Sequence, residues 1–324
     1  MKQVTRVCRI FLLVSGVFLT GAWVRSFLLS DMTITIDTVP VATLTAHEHI
    51  IGDSPDDPGH HVVARSTTHI APRDLWITGI DESIEHAPST LLHHLVLIQS
   101  NKPNLSCPAH MGRELIVSGQ DSMYSPHLRL PPGYALFIKK GTPLQLIGML
   151  HNPEPPRGPG GTYSGVVVRT TLHVVPAVDG TTFTPVELRV LYLDEHGCAD
   201  AVPSDTFTIP PKSLQYHYSG THARPDEPAQ MIVMATSTIV YVGAHLHGWQ
   251  GGKELIVLRN GKPFADLKTQ RVPGDPYLFQ TPHFATSTQV LPGETISIES
   301  TYDNPYSVPV RGAMAFFAMY MTAK

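Results

Sequence analysis

The chain has 324 residues, 42% of them hydrophobic, and a formal net charge of −4, which excludes a disordered chain and suits two domains of ordinary size or one large one. Charged residues make up only 15%, against 29 prolines and 25 glycines. With Val, Ile and Thr recurring in short runs, this predicts strands joined by turns, and the acidic balance gives no support to nucleic-acid binding.

In chain order, the first 31 residues stand apart. Lys2, Arg6 and Arg9 precede the apolar run Ile10 to Val24, which Arg25 follows. A basic flank before about fifteen apolar residues is the pattern of an export signal. Thr20-Gly21-Ala22 comes nearest to a small-x-small cleavage site; uncleaved, residues 1–31 would form a single membrane anchor, although the apolar run is short for one. Either way the body is expected outside the cytoplasm, as a secreted, periplasmic or membrane-anchored protein. Four basic residues and one acidic residue fall in this segment, so the body alone carries −7. Of the three cysteines, Cys8 lies in the segment and only Cys107 and Cys198 remain. These two would be able to form one disulfide in an oxidising compartment, but their pairing cannot be deduced from sequence.

From Asp31 to Arg73, strand-like pieces (Thr33 to Ile36, Val62 to Ser66) flank the turn-rich stretch Gly52 to Gly59. His47-Glu48-His49 and His60-His61 are metal candidates here, with exposed or hydrogen-bonded histidine as the plainer reading. Leu75 to Ile80 reads as a strand. So does Leu91 to Ile98, which carries His93 and His94 side by side. Adjacent strand residues face opposite ways, so a metal shared by this pair requires a bulge or a strand end. Without one, one imidazole is buried and must find partners while the other is exposed. The turn Leu130-Pro131-Pro132-Gly133 precedes Tyr134 to Lys139 and then Leu144 to Leu150, which ends in His151. A Pro/Gly-rich loop over 152–161 follows, and Val166 to Val175 closes a first domain over residues 32–176.

A second domain, residues 177–324, has strands at Val186 to Leu193, Thr206 to Ile209 and Gln230 to Ala235. The run Thr238 to Gly243 then leads into Ala244-His245-Leu246-His247-Gly248. Alternate strand residues face the same way, so His245 and His247 project neighbouring imidazoles suited to a borderline or soft transition metal. Asn260-Gly261 predicts a two-residue hairpin turn. Leu291-Pro292-Gly293 and Asp303-Asn304-Pro305 weakly echo the first half, and the last strand, Ala313 to Met321, contains Met314. The expected fold is all-β: two tandem antiparallel sandwiches of the jelly-roll kind.

The order of these residues resembles that of the copper type II, ascorbate-dependent monooxygenases, the family of peptidylglycine α-hydroxylating monooxygenase and dopamine β-monooxygenase. A His-His pair (His93, His94), a strand-ending His151, a His-x-His (His245, His247) and a methionine in the final strand (Met314) follow one another. The flanks agree at Leu92 to Leu97, Leu128 to Gly133, Ile209-Pro210-Pro211 and Met314 through Met321. The resemblance covers about Leu75 to Lys324. It implies two coppers, each in its own sandwich, facing each other across a solvent-filled cleft. His93, His94 and His151 would hold the electron-transfer copper, and His245, His247 and Met314 the catalytic one. A thioether is a soft ligand that favours Cu(I), and imidazole serves both oxidation states. For Met314 alone, a core methionine is the plainer reading; Met319 and Met321 fall on the opposite face and are expected in the core. The implied reaction hydroxylates an aliphatic C–H of a small-molecule or peptide-like substrate, using O2 and a one-electron reductant such as ascorbate.

Two departures bear on the substrate. The peptide-amidating members place an arginine two residues before the His-x-His, where this chain has Gly243, and a tyrosine four residues after the methionine, where it has Ala318. Without a guanidinium the site lacks a bidentate clamp for a carboxylate, so peptidylglycine is not the expected substrate. The rival readings are an exported copper-binding or electron-transfer protein of the same fold without hydroxylase activity, and a non-catalytic surface protein.

Overall fold

A computed structural model describes residues 32–46, 61–104, 111–118, 127–155, 159–178, 182–193, 207–219, 229–247, 251–271 and 279–322. The expected export segment, His47-Glu48-His49, His60, Cys107 and Cys198 lie outside these residues. Nearly every described segment is strand; the helical content is one 3-10 turn at Ser89–Leu91. No helix among the described residues is long and apolar enough to cross a membrane.

The strands follow from period-2 patterning. In Pro143–His151, Leu144, Leu146, Gly148 and Leu150 are buried, and the residues between them are half-exposed. In Thr162–Pro176, Val166, Val168, Thr170, Leu172 and Val174 point inward in the same way. These inward faces belong to the two sheets of the first sandwich. One sheet runs Met32–Asp37, Thr162–Pro176, Leu75–Glu85 and Tyr134–Ile138; the other runs His61–Arg65, Pro143–His151, Leu92–Pro103 and Met111–Ser118. Their side chains form one core, among them Ile77, Leu95, Leu97, Leu146 and Val168. Gly148 permits the close approach: a Cβ there would stand 2.8 Å from Val168 Cγ2.

The second sandwich pairs Thr184–Leu193, Ala315–Thr322, Ser237–Leu246 and His283–Val290 in one sheet. The facing sheet has Ser213–Tyr218, Thr295–Asn304, Gly252–Arg259 and Lys262–Lys268. Arg259 and Lys262 pair across the Asn260-Gly261 turn. Both turn residues have positive φ, 52° and 71°, as a tight primed hairpin turn requires.

The halves are not independent sandwiches. Thr184 and Pro185 pair in parallel with Tyr134 and Ala135, which joins one sheet of each half into a single ten-stranded sheet. The strands Ser237–Leu246 and Ala315–Thr322 are consequently buried on both faces. Val242, Ala244, Leu246, Phe317, Met319 and Met321 face the second core. Tyr241, Met314, Phe316, Ala318 and Tyr320 join the first. Two-sided burial explains why these strands read as continuous apolar runs rather than alternating ones.

Candidate metal centre

The His93-His94 pair shares a face because the strand carries a bulge. His94 pairs with Met149 and Leu92 with Leu150, which leaves His93 as the extra residue. The two rings lie 4.0 Å apart, and both side chains are buried. His151, half-buried at the end of the neighbouring strand, has its ring 5.8 Å from that of His93. The following Asn152 is buried and donates from Nδ2 to Gly161 O at 3.1 Å, closing the loop behind the strand end.

His245 and His247 alternate as expected, with ring centroids 4.7 Å apart and no solvent exposure. His245 lies directly opposite Phe316 on the neighbouring strand, and the rings stack at 4.9 Å and 21°. His247, just past the strand, is held from several sides. Its main-chain N–H donates to Met314 O at 3.3 Å, and Gly252 N–H donates to its carbonyl at 3.1 Å. Its Nδ1 lies 3.2 Å from Gly312 O. A carbonyl only accepts, so Nδ1 carries the proton and Nε2 presents the lone pair, a common way of orienting a metal-binding imidazole.

The two histidine sets meet at one place. Ring centroids are 5.0 Å apart for His93 and His247, 4.5 Å for His94 and His245, and 6.0 Å for His93 and His245. Ligand nitrogens of His93, His94 and His247 all lie within 4.8 Å of one another. The two histidine sets, expected to face each other across a solvent-filled cleft, therefore pack directly against one another. The physical origin is the two-sided burial of Ser237–Leu246: the histidine face of that strand packs on the first core. Met314 lies between Val310–Ala313 and Ala315–Thr322 and is buried in the apolar cluster. Its carbonyl accepts from His247 N–H and, at 2.5 Å, from the Tyr302 hydroxyl.

Burial first, and then the neighbouring His247, lower the His94 pKa to about 3. Burial likewise pushes His245 well below its ordinary value, with His94 and His247 adding to the effect. Both imidazoles are neutral at ordinary pH and offer lone pairs. Among the described residues, His94 Nε2 and both ring nitrogens of His245 have no hydrogen-bond partner. A buried polar group left so costs about 1–3 kcal/mol, and a cation is the partner that several converging lone pairs fit. An all-imidazole set suits copper, zinc, iron or nickel.

Several residues around the centre carry no motif. Tyr192, Phe316 and His245 lie directly opposite one another across three strands, with Tyr192 and Phe316 rings 5.5 Å apart. The Tyr192 hydroxyl donates to Glu114 Oε1 at 3.0 Å, and burial raises the Glu114 pKa in spite of the Tyr192 and Asn104 hydrogen bonds. Tyr302 and Gly312, which position Met314 and His247, were equally silent in sequence; Tyr302 stands just before Asp303-Asn304-Pro305 and would be found only by asking what satisfies the Met314 carbonyl. The two departures from the resembled family, Gly243 and Ala318, prove to be direct cross-strand partners.

No family model and no curated protein matches the chain. Among solved structures, it is similar to PNGase F, a glycosylasparaginase from Flavobacterium meningosepticum, at TM-score 0.38 and 9% identity, covering 89% of this chain and 96% of that one. The major capsid protein P2 of bacteriophage PM2 matches at TM-score 0.35 and 9% identity, covering 90% and 97%. These likenesses assign neither a family nor an activity.

Proposed function

We propose that the protein is an exported copper-dependent monooxygenase that hydroxylates an aliphatic C–H with O2 and an external one-electron reductant such as ascorbate. The observation that supports this best is the meeting of His93, His94 and His247 within 4.8 Å in a buried seam, flanked by the rings of His245 and His151 and by the Met314 carbonyl that accepts from His247 N–H. Bound copper would supply single-electron chemistry and O2 activation. The chain's own residues supply the rest. Neutral imidazoles present lone pairs, the Gly312 carbonyl sets the His247 tautomer, and Phe316 covers the face of His245 and keeps water from it. Gly243 opposite Ala318 places no cation and no large side chain on that stretch of the histidine face. A substrate without a carboxylate anchor fits this better than a peptide C-terminus.

The test is oxygen uptake by the copper-loaded protein with ascorbate across a panel of C–H substrates. Uptake that depends on both substrate and reductant is expected. Met314→Ala is expected to lower it about tenfold or more, as loss of a tuning ligand does, while copper stays on the histidines. The second reading, a copper electron-transfer protein, is favoured by the burial of the cluster. It predicts ascorbate-driven reduction and reoxidation with no substrate consumed, and that result would displace the enzyme reading.

A further inference from the structure

Building on the reading of the cluster as a metal centre, we propose that it holds one ion shared by the two halves, so that metal binding clasps one sandwich to the other. The ligand class is a nitrogen-preferring d-block cation, copper or zinc.

Two nitrogen donors come from Leu92–Pro103 in the first half and the third from the end of Ser237–Leu246 in the second. Nitrogens bound to one tetrahedral ion at about 2.0–2.1 Å stand roughly 3.3 Å apart. Donors already within 4.8 Å reach that spacing by small side-chain rotations. The bulge at His93 matters twice. It puts His93 beside His94, and it directs both toward the other half while Leu92 and Leu95 fill their own core. Elsewhere, among the described residues, the halves meet through apolar packing in the first core, the Tyr192–Glu114 hydrogen bond and a parallel ladder of two residue pairs. None of those contacts responds to a ligand. The histidine cluster is the part of the seam that can. His245 and His151, with rings 4.5 Å from His94 and 5.8 Å from His93, are the neighbours from which a fourth ligand would come.

The experiment uses the full exported chain, stripped with a chelator and then equilibrated with copper or zinc ions. Tight ions are counted per chain, and hydrogen exchange is followed in both strands. The wild type is expected to hold one tight ion, and metal should slow exchange in 92–103 and 237–246 together. His93→Ala and His247→Ala, on opposite halves, should each weaken binding about 100-fold or more, beyond the loss typical of a supporting residue. Each should also abolish the metal-dependent protection in both strands. Should His247→Ala lack the strand signature in circular dichroism, His247→Gln keeps size and polarity and replaces it. A tight ion surviving in each single variant, protecting only the half that keeps its histidines, would overturn the shared centre and leave the metal reading intact. A wild type that takes up no ion would overturn both.

Discussion

At the scale of single residues, the histidines set how this protein responds to acid. A neutral imidazole buried in the folded chain regains its ordinary pKa on unfolding. For His94 those values are about 3 folded and 6.5 unfolded. Between them the unfolded chain binds a proton that the folded chain refuses. Stability is therefore full above the unfolded value and declines as pH falls through it, by about 1.4 kcal/mol per pH unit for each such group. Urea midpoints of the metal-free protein at about pH 7 and about pH 5.5 should show this slope. His94→Leu should flatten it, and a slope identical to the wild type would show that His94 is not buried neutral. The pairing of His93 with His94 was legible only as an alternative, bulge or no bulge. Choosing between them required the partner strand, because register is a relation between Met149 and His94 and is not written in either segment alone.

At the scale of elements, the close stacking of the first sandwich depends on Gly148. It sits in the middle of the strand that delivers His151, and any Cβ there meets the Val168 side chain. Gly148→Val is expected to cost about 1–3 kcal/mol through overpacking and to move the end of Pro143–His151 away from His93. Denaturant unfolding checks the first effect and metal affinity the second; an unchanged affinity would mean that His151 contributes nothing to the centre. The strands themselves were largely legible, since alternation and Pro/Gly punctuation are local. Leu75 to Ile80, Leu144 to His151 and Val166 to Val175 were all expected and all lie within observed strands. The strand Ala315–Thr322, buried up to its last residue, also showed as an apolar run. What its two faces packed against did not show.

At the scale of the whole molecule, the continuous sheet and the shared first core make the two halves one packed body, with the histidines at its seam. A cation bound there and absent from the unfolded state stabilises folding by mass action, by about 2.7 kcal/mol at 100 times its dissociation constant. Thermal unfolding should therefore move up on metal loading as one transition, and a chelator should reverse it. A shift confined to one of two resolved transitions would mean that the ion serves a single half. The row from Glu114 through Tyr192 and Phe316 to His245 is another feature visible only at this scale, since its members come from four strands far apart in sequence.

Chemistry-bearing residue types and strand periodicity were determined by the sequence alone. Both are local properties, one of side-chain composition and the other of a backbone that turns each successive residue over. The family resemblance then grouped His93, His94, His151, His245, His247 and Met314 as one expected set, and an all-β body was foreseeable from the periodicity. Where that set assembles was decided by tertiary structure. A bulge turned His93 to join His94, and burial of Ser237–Leu246 on both faces brought His245 and His247 onto the first core. Two histidine sets expected apart form one cluster because packing, a relation between distant segments, chose which faces meet.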